Sequence, residues 1–264
     1  MYVCPKCKTK LTELSCERCG VTYPSMQGIP CLLAPRPGEA GEQLRRIYDD
    51  IYRHHEDVWI DQGRSDKFQT YFAKLAGSLS TDRVLELGCG EGTLLAALAA
   101  THKYGIDPSI HALVRARNKS NADCAVARAE ELPFPSASLD LVVAVGVMEH
   151  FENPDLASAE VRRVLTPAGH YIALIHTDMT LGDRLRLKAR EYLYPRPRPM
   201  AMVKWLRKKI WHPIVQPLRK SYSIASAREC LERNGLAVKQ IITLETRPDA
   251  PLAGRHVVIL VAQS

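Results

Sequence analysis

The stretch Val84-Leu85-Glu86-Leu87-Gly88-Cys89-Gly90-Glu91-Gly92 constrains this chain more than any other. An apolar run ends on a glycine-rich turn, and Thr93-Leu94-Leu95-Ala96-Ala97-Leu98 then opens a helix-forming segment. Strand, tight turn and helix N-terminus together make a small-ligand site, because backbone N–H groups point outward where glycine lets a ligand approach. The spacing excludes two common versions. The nicotinamide fingerprint Gly-x-Gly-x-x-Gly/Ala meets Thr93 at its last position, and no Gly-Lys-Ser/Thr follows for a P-loop. Glu86 would repel a pyrophosphate and suit a ligand carrying an ammonium and a sulfonium. A second short strand, Tyr104-Gly105-Ile106-Asp107, ends in a carboxylate where an acid can accept two ribose hydroxyls.

These residues resemble the motifs of class I S-adenosylmethionine (SAM) methyltransferases of the type 11-like group. Glu86-x-Gly88-x-Gly90-x-Gly92 looks like their first motif and Asp107, with Pro108 after it, like their second. The resemblance implies a Rossmann-like seven-stranded α/β sandwich over about 43–264, its last strand antiparallel. Arg128-Ala129-Glu130-Glu131-Leu132-Pro133-Phe134 resembles the family's adenine-side loop. Arg128 stands where an Asp often meets the adenine amino group, and a guanidinium accepts no hydrogen bond. Adenine is therefore expected on backbone groups near Ala129 and Glu130.

Leu139 to Val145 is a continuous apolar run, as expected of a parallel strand buried on both faces. It ends in Gly146-Val147-Met148-Glu149-His150, at the edge where open α/β sheets bind ligands. Val145 is expected beside the cofactor. Glu149 and His150 are the catalytic candidates, with a backbone-bonded structural histidine as the alternative for His150. The Met-Glu-His sequence resembles that of quinone O-methyltransferases. Some of these relatives hold a divalent metal through an additional Glu, which here is Gly146, so no complete metal site is expected there.

Cys4-Pro5-Lys6-Cys7 and Cys16-Glu17-Arg18-Cys19 give C-x2-C-x8-C-x2-C. Four thiolates from two such knuckles make a closed, structural zinc site. Eight cysteines in a cytoplasmic chain fit metal ligands better than disulfides. Tyr23-Pro24-x-x-x-Gly28-Ile29-Pro30-x-Leu32-Leu33 resembles the zinc ribbon of the activator family of tRNA and protein methyltransferases, which implies a protein partner through the ribbon. Residues 1–33 are thus expected as a zinc ribbon with a core of its own, 34–42 as a linker, and 43–264 as the SAM domain. Helices over Gln43–Tyr52 and Asp66–Leu79 come first in that domain. Tyr48 and Tyr52 are expected either in the core or at the methionine end of the cofactor.

No apolar run approaches the roughly 18 residues of a membrane span, and the start of the chain lacks a signal-peptide pattern. The positive charge is local. Residues 181–220 carry twelve Lys or Arg against Asp183 and Glu191, with Trp205 and Trp211 among them. This basic insertion, about 178–221, reads as an active-site lid, a peripheral contact with an anionic membrane, or an RNA-facing patch. The expected function is methyl transfer to a small-molecule or lipid-like acceptor at oxygen. An RNA methyltransferase and a non-catalytic zinc-ribbon adaptor are the rivals.

Overall fold

A computed structural model describes residues 2–33, 40–55, 66–79, 82–177, 220–243 and 257–264. The expected insertion therefore lies outside the described residues, apart from its last two positions.

Two short hairpins, β1 (Ser15–Cys16) with β2 (Val21–Thr22) and β3 (Ser25–Met26) with β4 (Ile29–Pro30), open the chain. Helices α1 (Ala40–His54) and α2 (Asp66–Gly77) follow. Helix α1 already runs through 40–42, which the sequence assigns to the linker. The elements then alternate: β5 (Arg83–Leu87), α3 (Thr93–Ala97), β6 (His102–Asp107), α4 (Ile110–Ser120), β7 (Asp123–Val126), β8 (Leu139–Val145), α5 (Pro154–Val164) and β9 (Leu165–His176). After the insertion come α6 (Ile224–Arg233), β10 (Ala237–Thr243) and β11 (Val257–Gln263).

The sheet has seven strands in the order β10-β11-β9-β8-β5-β6-β7. Strands β7, β6, β5, β8 and β9 are parallel to one another, and β11 runs antiparallel to both β9 and β10. The expected α/β sandwich with its antiparallel last strand is therefore present. Strand β9 begins at Leu165, which pairs with Leu139 before the register shifts.

Alternation along each strand divides the core into two layers. Leu85, Leu87, Val142, Ala144, Tyr171, Ala173 and Leu260 face α5 and α6. Val84, Leu141, Val143, Val145, Ile172 and Ile259 face α3 and α4. Burial on both faces explains why β8 reads as an unbroken apolar run.

The ribbon does not have the separate core expected of it. Tyr23 and Leu32 belong to the first layer and Ile29 to the second, so the ribbon straddles the sheet at β7. Leu32 N donates to Val126 O at 2.8 Å, and Cys31 bridges Val126 in parallel. The physical reason is that β7 would otherwise present an unpaired edge, and about 30 residues cannot bury enough apolar surface alone.

Gly92 shows how tightly the site is packed from below. Its φ is +71°, and a Cβ there would lie 2.8 Å from the Cα of Ala116 in α4. Gly92→Ala adds left-handed strain to a backbone clash and should lower stability by about 2–4 kcal/mol. Urea unfolding at constant slope checks this; a loss under about 0.5 kcal/mol contradicts it.

Candidate functional site

The carboxyl ends of β5, β6, β8 and β9 lie along one edge, and the predicted site residues gather there. At β5, Glu86 is buried and Gly88, Gly90 and Gly92 all adopt positive φ. Asp107 ends β6. Its Oδ2 accepts from Gly90 N at 3.0 Å and its Oδ1 from Ser109 N at 2.9 Å. The carboxylate thus ties the glycine turn to the start of α4. A carboxylate offers about four acceptor sites, so this bracing leaves capacity for ribose hydroxyls. Pro108 sits between the braced residues, and Ser109 caps α4 by accepting from Ala112 N.

Helix α1 closes the site from above. Asp49 accepts from Ser109 Oγ at 2.8 Å and Ile110 N at 2.9 Å, a second carboxylate at the positive end of α4. No sequence signal marks Asp49; it reads as an ordinary polar position on an amphipathic helix. Tyr48 is buried, meets the His150 ring edge-on at 6.2 Å, and lies in the field of Asp107 and Glu149. Burial, then those two charges, push its phenol well up. Ile51 and Tyr52 pack with Tyr48 on Ala112 of α4. Core packing therefore accounts for Tyr52, whereas Tyr48 stands at the site.

The loop after β7 forms a 3-10 turn over Ala129–Glu131. The Glu130 carboxylate accepts from Asn153 N at 3.3 Å, and burial raises its pKa. Arg128 pairs with Glu152 at 3.7 Å. Val145 is buried in the second layer at the end of β8.

Met148–His150 form another 3-10 turn, and His150 N donates to Val147 O at 2.8 Å. Glu149 is 2% exposed. Its partner is His176, at the end of β9, and not the adjacent His150. Glu149 Oε1 accepts from His176 N at 2.6 Å and lies 2.9 Å from His176 Nδ1. Burial pushes the Glu149 carboxyl up, but the bonds from His176 outweigh it and hold the group below its ordinary value. The ends of the insertion meet here as well. Thr177 bridges Tyr222, and Lys220 N donates to Glu149 O at 2.8 Å.

At the ribbon, the ligand atoms of Cys4, Cys7, Cys16 and Cys19 lie within 4.8 Å of one another, the one such grouping among the described residues. Cys7 Sγ is 3.4 Å from Cys16 Sγ, and Cys4 Sγ is 4.0 Å from Cys19 Sγ. A tetrahedron with Zn–S of about 2.3 Å has edges of about 3.8 Å, so the donors fit zinc in size, number and chemistry. Thr9 bonds hold Cys7 at about 6, while the bond with Cys7 and then burial push Cys19 up to about 12.

The fold is that of solved SAM-dependent methyltransferases. Residues 85–173 match the family model described as a methyltransferase domain. The chain is 27% identical over 143 residues to the ubiquinone/menaquinone biosynthesis C-methyltransferase UbiE of Rubrivivax gelatinosus, covering 52% of this chain and 57% of that protein. It is 30% identical over 148 residues to the fatty-acid O-methyltransferase of Mycolicibacterium smegmatis, covering 48% and 54%. The chain thus spans a little over half the length of these curated relatives. A solved SAM-dependent methyltransferase of Thermotoga maritima superposes with a TM-score of 0.57 at 17% identity, covering 83% of this chain and 98% of that one. Among the described residues no helix is long and apolar enough to cross a membrane.

If the four thiols hold zinc, elemental analysis of protein purified without chelator should find one ion per chain. Cys16→Ser should then speed hydrogen exchange at the Leu32 amide, because ribbon and β7 share a core. Unchanged Leu32 protection with the metal lost would contradict that coupling.

Proposed function

We propose that this chain transfers the methyl group of SAM to a small, lipid-like acceptor at oxygen. The observation that carries the reading is the Asp107-braced glycine turn flanked by buried Glu86. Carboxylates there match a ligand with ammonium and sulfonium charges and a ribose, and oppose a pyrophosphate. In this reading Glu86, Gly88, Gly90 and Gly92 cradle the amino-acid end, Asp107 and Pro108 meet the ribose, and backbone groups at Ala129 and Glu130 meet the adenine. Val145 lines the floor. The cofactor supplies an electrophilic methyl group on a sulfonium. The protein's part is to align the acceptor oxygen with that methyl group and exclude water.

An oxygen acceptor with an apolar body is supported by the likeness to a fatty-acid O-methyltransferase and by the composition of the insertion. Twelve cations beside two tryptophans suit contact with an anionic membrane surface from which such an acceptor is drawn. The zinc is structural in this reading, and the ribbon, whose Gly28-Ile29-Pro30 signature resembles the activator family, docks in cis on β7.

Two measurements test the reading. Asp107→Asn places an amide N–H against the Gly90 or Ser109 donors and removes a charged acceptor. SAM affinity should fall roughly 10- to 150-fold, from about 1.5–3 kcal/mol for a hydrogen bond to a charged group. Unchanged affinity by calorimetry in the folded variant rejects the cofactor assignment. Incubation with methyl-labelled SAM and separated lipid, polar-metabolite and RNA fractions should label lipid. Label confined to RNA would replace the acceptor by RNA, and binding without any transfer would favour the adaptor.

A further inference from the structure

We propose that His176 is the base that takes the proton from the acceptor hydroxyl, with Glu149 as its positioning residue; this rests on the oxygen-methylating reading above. The sequence offered His150, after the carboxyl end of β8, as a candidate base, with a backbone-bonded structural histidine as the alternative. The structure instead pairs Glu149 with a histidine 27 positions away, at the end of the neighbouring strand.

The geometry fixes the tautomer. An ionised carboxylate only accepts hydrogen bonds, so the 2.9 Å contact with Glu149 Oε1 puts the ring proton on Nδ1. The same oxygen accepts from the His176 backbone N at 2.6 Å, so backbone and ring are held at one point. Nε2, on the far side of the ring, then carries the lone pair. The His176 side chain is 40% exposed while that of Glu149 is 2% exposed, so the basic nitrogen faces outward from a buried anchor. A carboxylate that orients an imidazole and stabilises its protonated form is the usual support of a histidine base.

The position suits the task. Gly146 N donates to Leu174 O at 2.9 Å, which draws the end of β9 against the turn leading to Met148–His150. The insertion leaves the core at Thr177, directly after His176, and returns at Lys220 against Glu149. In the reaction, the acceptor O–H gives its proton to Nε2. The oxygen's electron pair forms the new O–CH3 bond, and the broken C–S bond leaves its pair on sulfur as a neutral thioether.

Three phenols and an ammonium stand around the pair. Burial foremost pushes the phenols of Tyr48, Tyr171 and Tyr222 well up, and Glu149 is held down. The Lys220 ammonium donates to Glu152 O.

The test uses the full chain with 15N-labelled histidine, and lipid extract with methyl-labelled SAM as the acceptor probe. At pH 8 the His176 ring should carry its proton on Nδ1, and Glu149→Leu, which removes the acceptor, should abolish that preference. His176→Gln should cut label transfer into lipid by about 100-fold or more, with SAM affinity within twofold of the parent as evidence of an intact fold. A proton on Nε2 in the parent overturns the proposal, as does a His176→Gln variant that keeps the parent rate. Failure of the parent chain to bind SAM would sink the methyltransferase reading instead, while the tautomer still decides the pair.

Discussion

The carboxylate of Asp107 is the contact on which the site depends. It is 5% exposed, and a buried charge is tolerated only when hydrogen bonds replace its water. Gly90 N and Ser109 N supply two of them, and in doing so fix the glycine turn, the end of β6 and the start of α4 relative to one another. Asp49 repeats the device from α1, so two carboxylates share the N-terminus of one helix. Arg115 adds a third tie by donating to Glu91 in the turn and to the His55 carbonyl after α1. The edge is preorganised: the groups that would hold a nucleoside are positioned by contacts already made without it.

Much of this was legible in the sequence, for local reasons. The run Leu139–Val145 announces a doubly buried strand, the glycine spacing announces the turn, and paired cysteines announce the knuckles. Each signal lies within a dozen residues of chain. What escaped is long-range. Nothing near His176 points to Glu149, and nothing near Asp49 points to the α4 terminus. Arg83 forms a bidentate pair with Asp140, 57 positions on, which also leaves no local trace. The docking of the ribbon failed for the same reason: Tyr23, Ile29 and Leu32 look like filling for a hairpin, and only the sheet topology turns them toward β7.

The loop after β7 is held from two directions. Arg163 donates to the carbonyls of Leu132 and Phe134, and Lys8 of the ribbon donates to Leu132 O and pairs with Glu160 at 2.6 Å. Val3 N adds a bond to Pro133 O. Partly exposed ion pairs contribute little stability. Here they aim backbone carbonyls, so their effect is to set where Ala129 and Glu130 stand and not how firmly the domain folds. The ribbon therefore bears on the Ala129–Glu131 turn through main-chain geometry.

Docked on Val126, the ribbon also closes one end of the sheet. An open parallel edge invites pairing with strands of other molecules. A chain whose ribbon comes loose would keep most of its sheet and yet become adhesive along β7. The outcome of losing the four-cysteine cluster would then be self-association of nearly native molecules, a hazard set by protein concentration as much as by folding free energy.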